Sequence, residues 1–219
     1  MRSLILSIVL LACGVHEVLA QTIDARTTPI PEILSRFVEE QSVQNTHDAW
    51  NAIFSIVNYG WRSQNDIDAL ISGLDSIARE GSTSLAKANA VVLLISAAST
   101  TARNPSPRVG PLVLALFDEV GETHVRGSIV GSLYQLADRS VAVRILRRVL
   151  TEEPPDYVLD RAMEARSAVS SALGAGAPGL ELLRELHARG TIRDGSAKAM
   201  VAELNASGRL RGGRRGPLR

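Results

Sequence analysis

Three sets of residues have the types and spacing for chemistry. In "DYVLDRAMEARS", Asp156, Asp160 and Glu164 recur at i, i+4 and i+8, which lines one side of a helix. Carboxylates so placed could exchange a proton or hold a hard cation. Arg161 and Arg166 on the same stretch allow a plainer reading, ion pairing, and Asp156 and Asp160 near a helix start also suit the helix dipole. In "SVAVRILRRVL", a helical wheel gathers Arg144, Arg147 and Arg148 opposite Ala142, Ile145, Leu146, Val149 and Leu150. That basic face could take an anionic or protein partner. It could equally be a solvated face, its like-charge repulsion offset by Asp118, Glu119, Glu181 or Glu185 of neighbouring units. The third set is Gly127 and Gly131 in "GSIVG", which share a face with Ser128, Tyr134 and Gln135, away from Val125, Ile129, Leu133 and Leu136. Each helical glycine costs roughly 1 kcal/mol against alanine, so something should compensate. Close approach of a neighbouring helix is the expected reason, and a partner or ligand on a flat surface is the alternative.

Other chemistry lacks a motif. His47, His124 and His187 are far apart in the chain and none has a second histidine at i+4, so no metal site is expected. No nucleophile motif, P-loop or glycine-rich dinucleotide turn occurs, and no cofactor is expected. Cys13 is the only cysteine. A mature chain beginning after it has no thiolate catalysis and no disulfide.

The elements that must carry these residues are helices. The 219 residues are 45% apolar and 21% charged with a net charge of +1, ordinary for a folded domain. Arginine outnumbers lysine 22 to 2 along the whole chain, so no single arginine stands out as chosen over lysine. Apolar periodicity and capping residues predict about ten helices in pairs. The first members are Pro31–Ser42, Asp66–Arg79, Arg108–Val120, Ser140–Glu152 and Gly179–Arg189; the second are Asp48–Tyr59, Ser84–Ser99, His124–Ala137, Asp156–Leu173 and Ile192–Asn205. First members start 32 to 42 residues apart, the period of an α-solenoid. The fold expected is all-α, an α-α superhelix of about five helix pairs. Five of the eight aromatics lie between Phe37 and Trp61. They are expected to close the end of the stack, although exposed Trp and Tyr there would suit a sugar or peptide.

"LFDEVGETHVRGSIVGSLYQLAD" has an acidic turn, a Val-Arg pair at a second-helix start, and small and apolar residues after it. "MEARSAVSSALGAGAPGLELLRELHARG" has an Ala-Leu-Gly helix end, a Gly/Pro turn and the amphipathic helix that opens the next unit. Both resemble HEAT repeats of the bilin-lyase-like type, over roughly residues 64–207. The resemblance implies a right-handed stack with second helices lining a concave surface. It implies no one activity.

The ends read differently. Residues 1–20 have Arg2, an apolar run from Leu4 to Val15, and Val18 and Ala20 at the −3 and −1 positions before Gln21. That is a secretory signal peptide, with an apolar run too short for a membrane span. "LLACG" also resembles a lipobox, which would put a lipid anchor on Cys13. Residues 21–208 are expected to form the solenoid, with 18 basic and 22 acidic side chains. Residues 209–219 add five arginines in a Gly- and Pro-broken tail expected to be disordered. Five charges do not support specific nucleic-acid binding. Taken together, these features point to an exported, periplasmic or extracellular protein-interaction module without enzyme activity, whose partner is another protein or peptide. The alternative is an exported enzyme or ligand carrier using the concave surface.

Overall fold

The computed structural model describes residues 23–41, 47–152 and 158–210, with backbone alone for 158–160. These residues form ten α-helices in the expected order: α1 (Ile30–Glu40), α2 (Asp48–Tyr59), α3 (Gln64–Glu80), α4 (Ser84–Ser96), α5 (Val109–Glu119), α6 (Thr123–Ser132), α7 (Arg139–Thr151), α8 (Val158–Gly174), α9 (Ala177–Arg189) and α10 (Gly195–Ala206). Local chemistry sets their ends. The side chains of Ser63, Thr83, Asp138 and Asp194 cap α3, α4, α7 and α10 by accepting from backbone N–H groups of the first turn. Gly60 and Gly190, at φ of 62° and 65°, end α2 and α9 in the left-handed conformation that suits glycine.

The odd-numbered helices pack against one another in one layer and the even-numbered helices in a second, with each pair joined across the layers. This is an all-α superhelical stack of five helix pairs. Neighbouring second helices pack most extensively from α4 through α6 and α8 to α10. Small residues permit that approach: Ala165, Ala168 and Ala172 of α8 and Ser132 of α6 are buried there. The helix α4 is buried nearly all round, from Ala86 to Ser96, because it meets α2, α3, α5 and α6. The core runs without a break from Ile30 and Ile33 in α1 to Val201 and Leu204 in α10.

Two helices stop earlier than their apolar pattern. The helix expected over His124–Ala137 ends at Ser132 and passes through a 3₁₀ turn, Leu133–Gln135. The helix expected over Ser84–Ser99 ends at Ser96. Backbone bonds between the two repeats replace the missing turns: Thr100 N–H donates to Gln135 (3.1 Å) and Ala137 N–H to Ala98 (2.8 Å), bringing Ser99 opposite Leu136. Apolar spacing at Leu133 and Leu136 satisfies a helix and this bridge alike, and the tertiary pairing decides. No strand occurs among the described residues.

The aromatic cluster divides. Phe37 is buried, and half-buried Trp50 packs against it with ring centroids 6.3 Å apart, as a cap requires. Phe54, Tyr59 and Trp61 are instead exposed. The first two residues of the expected tail, Arg209 and Leu210, lie within the described residues. Leu210 is buried, its N–H donates to Leu204 and its carbonyl accepts from Arg184. Residues 211–219, like residues 1–22 where a signal peptide or lipobox is expected, lie outside the described residues.

Candidate functional site

Of the acidic ladder, only the Glu164 side chain lies within the described residues. Asp156 and the Asp160 side chain lie outside them, and no group of three or more His, Cys, Asp or Glu placed to hold a metal ion occurs within them. Glu164 is 2% exposed and held by two cations. Arg126 of α6 reaches its Oε1 at 3.0 Å and Arg161, one turn back on α8, its Oε2 at 3.0 Å. The Arg126 guanidinium also lies 3.9 Å from the centre of the Phe117 ring and donates to the Phe117 carbonyl at 2.8 Å. This ionic knot ties α5, α6 and α8 together. A buried carboxylate bonded to two guanidiniums is tied up in holding them and is a poor candidate for acid/base work.

The basic face of α7 divides along the stack. Arg147 forms a fork with Glu185 of α9, at 2.9 and 2.7 Å. That pairing keeps the Glu185 carboxyl below its usual range and raises Arg147, first through the hydrogen bonds and then through charge. Arg148 pairs with Asp118 of α5 and, at 3.1 Å, with Glu152, while lying 5.2 Å from the centre of the Phe117 ring. Arg144 is exposed. Two of the four acids proposed from sequence as neighbouring partners, Asp118 and Glu185, therefore fill that role. Similar ties run between the other first helices, where Arg79 bridges Asp75 and Glu119, and Arg108 reaches Asp68 at 3.2 Å.

The glycines of α6 overturn the close-packing expectation. A Cβ built on Gly127 or Gly131 meets no atom within 4 Å. Gly73, Gly174 and Gly179 do have neighbours that explain them: a Cβ on Gly73 would collide with Leu34, one on Gly179 with the Ala172 backbone, and one on Gly174 would stand 2.8 Å from Tyr134, whereas Gly195, at the start of α10, also has open space. Gly127 instead lines an open groove of about 420 Å³ between α6 and α8, with Thr123, His124, Ser128, Met163 and Ser167 on its walls and Glu164 at its floor. Met163 is 60% exposed and Tyr134 42%. Gln135, on the 3₁₀ turn, donates to the Tyr134 hydroxyl at 3.1 Å.

Thus Gly127, Ser128 and Glu164 meet at one groove. Gly131 lies further along α6, and Tyr134 and Gln135 lie on the 3₁₀ turn that follows it. The three arginines lie on the other layer. Sequence reasoning missed Arg126, Thr123, His124, Met163 and Ser167 as neighbours of this site. Nothing local marks them, because the groove exists only where α6 and α8 meet. All six exposed large apolar side chains among the described residues, Phe54, Tyr59, Trp61, Leu85, Tyr134 and Met163, belong to the second helices or to turns at their ends. The first-helix layer carries most of the ion pairs. Comparison with family models, curated proteins and solved structures finds no match for this chain.

Proposed function

We propose that this chain is an exported HEAT-like repeat protein that acts as a protein-interaction module, not an enzyme, and that a protein or peptide partner lies along its second-helix face. The observation that carries this reading is the α6 glycine pair. Gly127 and Gly131 weaken their helix and no neighbouring side chain needs the space. Local rules that a fold breaks without a packing reason are where function is expected. Gly127 leaves a groove open on one side, with exposed Met163 beside it and Tyr134 on the 3₁₀ turn beyond α6, on the layer that carries the exposed apolar groups. A broad, weakly charged, partly apolar strip suits a polypeptide, and its ion-paired opposite layer does not.

A photo-reactive phenylalanine analogue placed at Ser128 or Met163, and irradiated in the producing cell, is expected to give one adduct of common mass. The same group at exposed Arg144 is expected to give none. Adducts from Arg144 alone would move the binding face to the other layer. The cavity volume also falls within the range of small-molecule sites, so a ligand carrier is the second reading. It requires a bound small molecule in the native protein and no protein adduct.

Export rests on Arg2, the Leu4–Val15 run and the Val18/Ala20 pattern. Among the described residues no helix is long and apolar enough to cross a membrane. N-terminal sequencing of the exported protein is expected to begin at Gln21. A chain beginning at lipid-modified Cys13 would replace the free periplasmic or extracellular form with a membrane-anchored one.

A further inference from the structure

A second cavity, of about 230 Å³, lies apart from the α6–α8 groove, between α2, α3 and the segment that links α4 to α5. Its lining is graded. Val57 and Ala97, both buried, and half-buried Ile67 make an apolar floor. Gln64 and Asn104, both exposed, place amides at the mouth. Half-buried Arg62 supplies the formal charge on the lining.

The hydrogen-bonding capacity of Arg62 is only partly used. Its Nε–H donates to the Ala25 carbonyl at 2.8 Å and its Nη2 to the Thr28 carbonyl. A guanidinium carries five N–H groups in one plane, so both Nη1 hydrogens and the second Nη2 hydrogen remain, along another edge. That edge has no hydrogen-bond or ion-pair partner among the described residues. Asp24 acts on Arg62 through charge but forms no ion pair with it. Its carboxylate is occupied by the Arg26 N–H at 2.8 Å and the Thr27 hydroxyl at 2.9 Å, and it does not line the cavity. Asp24 therefore lowers the local field and leaves the open edge of Arg62 unfilled. Arg103 stands at the rim: it donates to the Tyr59 carbonyl at 3.3 Å, and its stem fills the space above Gly60, which lines the cavity.

We propose that this cavity binds a small organic carboxylate, its short apolar body on Val57, Ile67 and Ala97 and its carboxylate on the open edge of Arg62. Two carboxylate oxygens match two parallel guanidinium N–H groups. The volume holds about eight water-sized groups. An apolar floor makes a multiply charged, strongly hydrated anion costly to seat. No acid lines the cavity, so an amine or a free amino acid finds no partner there for its ammonium group. The mouth can add amide donors. Gln64 gives one N–H to Asp68 at 3.2 Å, and the Asn104 amide has no partner among the described residues.

Hexanoate, which matches this size, is the probe, and calorimetric titration of the protein as its producing cell makes it is the reading. Hexanoate is expected to bind at one site. Hexan-1-ol, which keeps the apolar body and loses the charge, is expected to bind at least about tenfold more weakly. Hexylamine should not bind, and inorganic phosphate should not compete. Asn104→Trp closes the mouth from an exposed position and should abolish binding at an unchanged melting temperature. Arg62→Gln should weaken hexanoate at least about tenfold while leaving hexan-1-ol as it was. If that variant loses both, release of the Ala25–Thr28 segment has opened the cavity, and Asn104→Trp decides.

No saturable binding of hexanoate below about 10 mM would overturn the site. Equal affinity for hexanoate and hexan-1-ol would overturn the role of Arg62. Displacement by phosphate would overturn the choice of an organic carboxylate over a simple anion. Binding that survives Asn104→Trp would overturn the assignment to this cavity.

Discussion

Leu146→Ala is expected to cost about 2–5 kcal/mol, and Arg147→Ala, one residue on, less than about 1 kcal/mol. Leu146 is fully buried on the inward face of α7. Truncation removes methyl groups from water-free contact and leaves a cavity that the surrounding helices fill only in part. A repeat stack has no other core to fall back on, since each unit is stabilised by its neighbours, so loss at α7 should loosen α8 and α9 too. The Arg147 fork to Glu185 has good geometry, but its side chain is 41% exposed. Solvent screens the attraction, and ordering two long side chains offsets much of the rest. Denaturant midpoints of both variants, at unchanged slope, read the comparison. Equal losses would mean that the fork, and not the apolar face, holds α7 to α9.

Glu164→Leu should be as damaging, about 3–5 kcal/mol, for a different reason. The carboxylate is buried and both its partners are cations, with Arg126 only 14% exposed. Without it two guanidiniums stay partly desolvated beside each other. Desolvation, and not the lost attraction alone, sets the size of the effect. That distinction is testable: adding Arg126→Met should restore at least half of the stability, because removing charges together relieves the penalty that removing one creates. A double variant no more stable than Glu164→Leu would show that packing, not charge, had been lost.

The helices were legible in the sequence because apolar period and caps agree. Asp48–Tyr59 falls where its pattern puts it, and Asp138 caps α7 two residues before the expected helix start at Ser140. Interhelix ion pairs were partly legible. A repeat of known period places Asp118 and Glu185 on the helices either side of Arg147 and Arg148. The Arg126–Glu164 pair was not, because it joins two second helices whose mutual rotation no local pattern specifies. The Gly127 and Gly131 pair shows the limit most directly. A missing side chain has the same helical cost whether a neighbour or open solvent occupies its place, and only the packed structure separates them.

That pair also gives the most direct measurement. Gly127→Ala/Gly131→Ala adds two methyl groups into unoccupied space, so the helix should become more stable by about 0.5–1 kcal/mol per site. The Gly127→Ala part of the change makes the groove shallower where the partner is proposed to lie. The expected result is a raised melting temperature together with loss of the adduct formed from Met163. A raised melting temperature with the adduct undiminished would contradict the claim that this groove is the binding site.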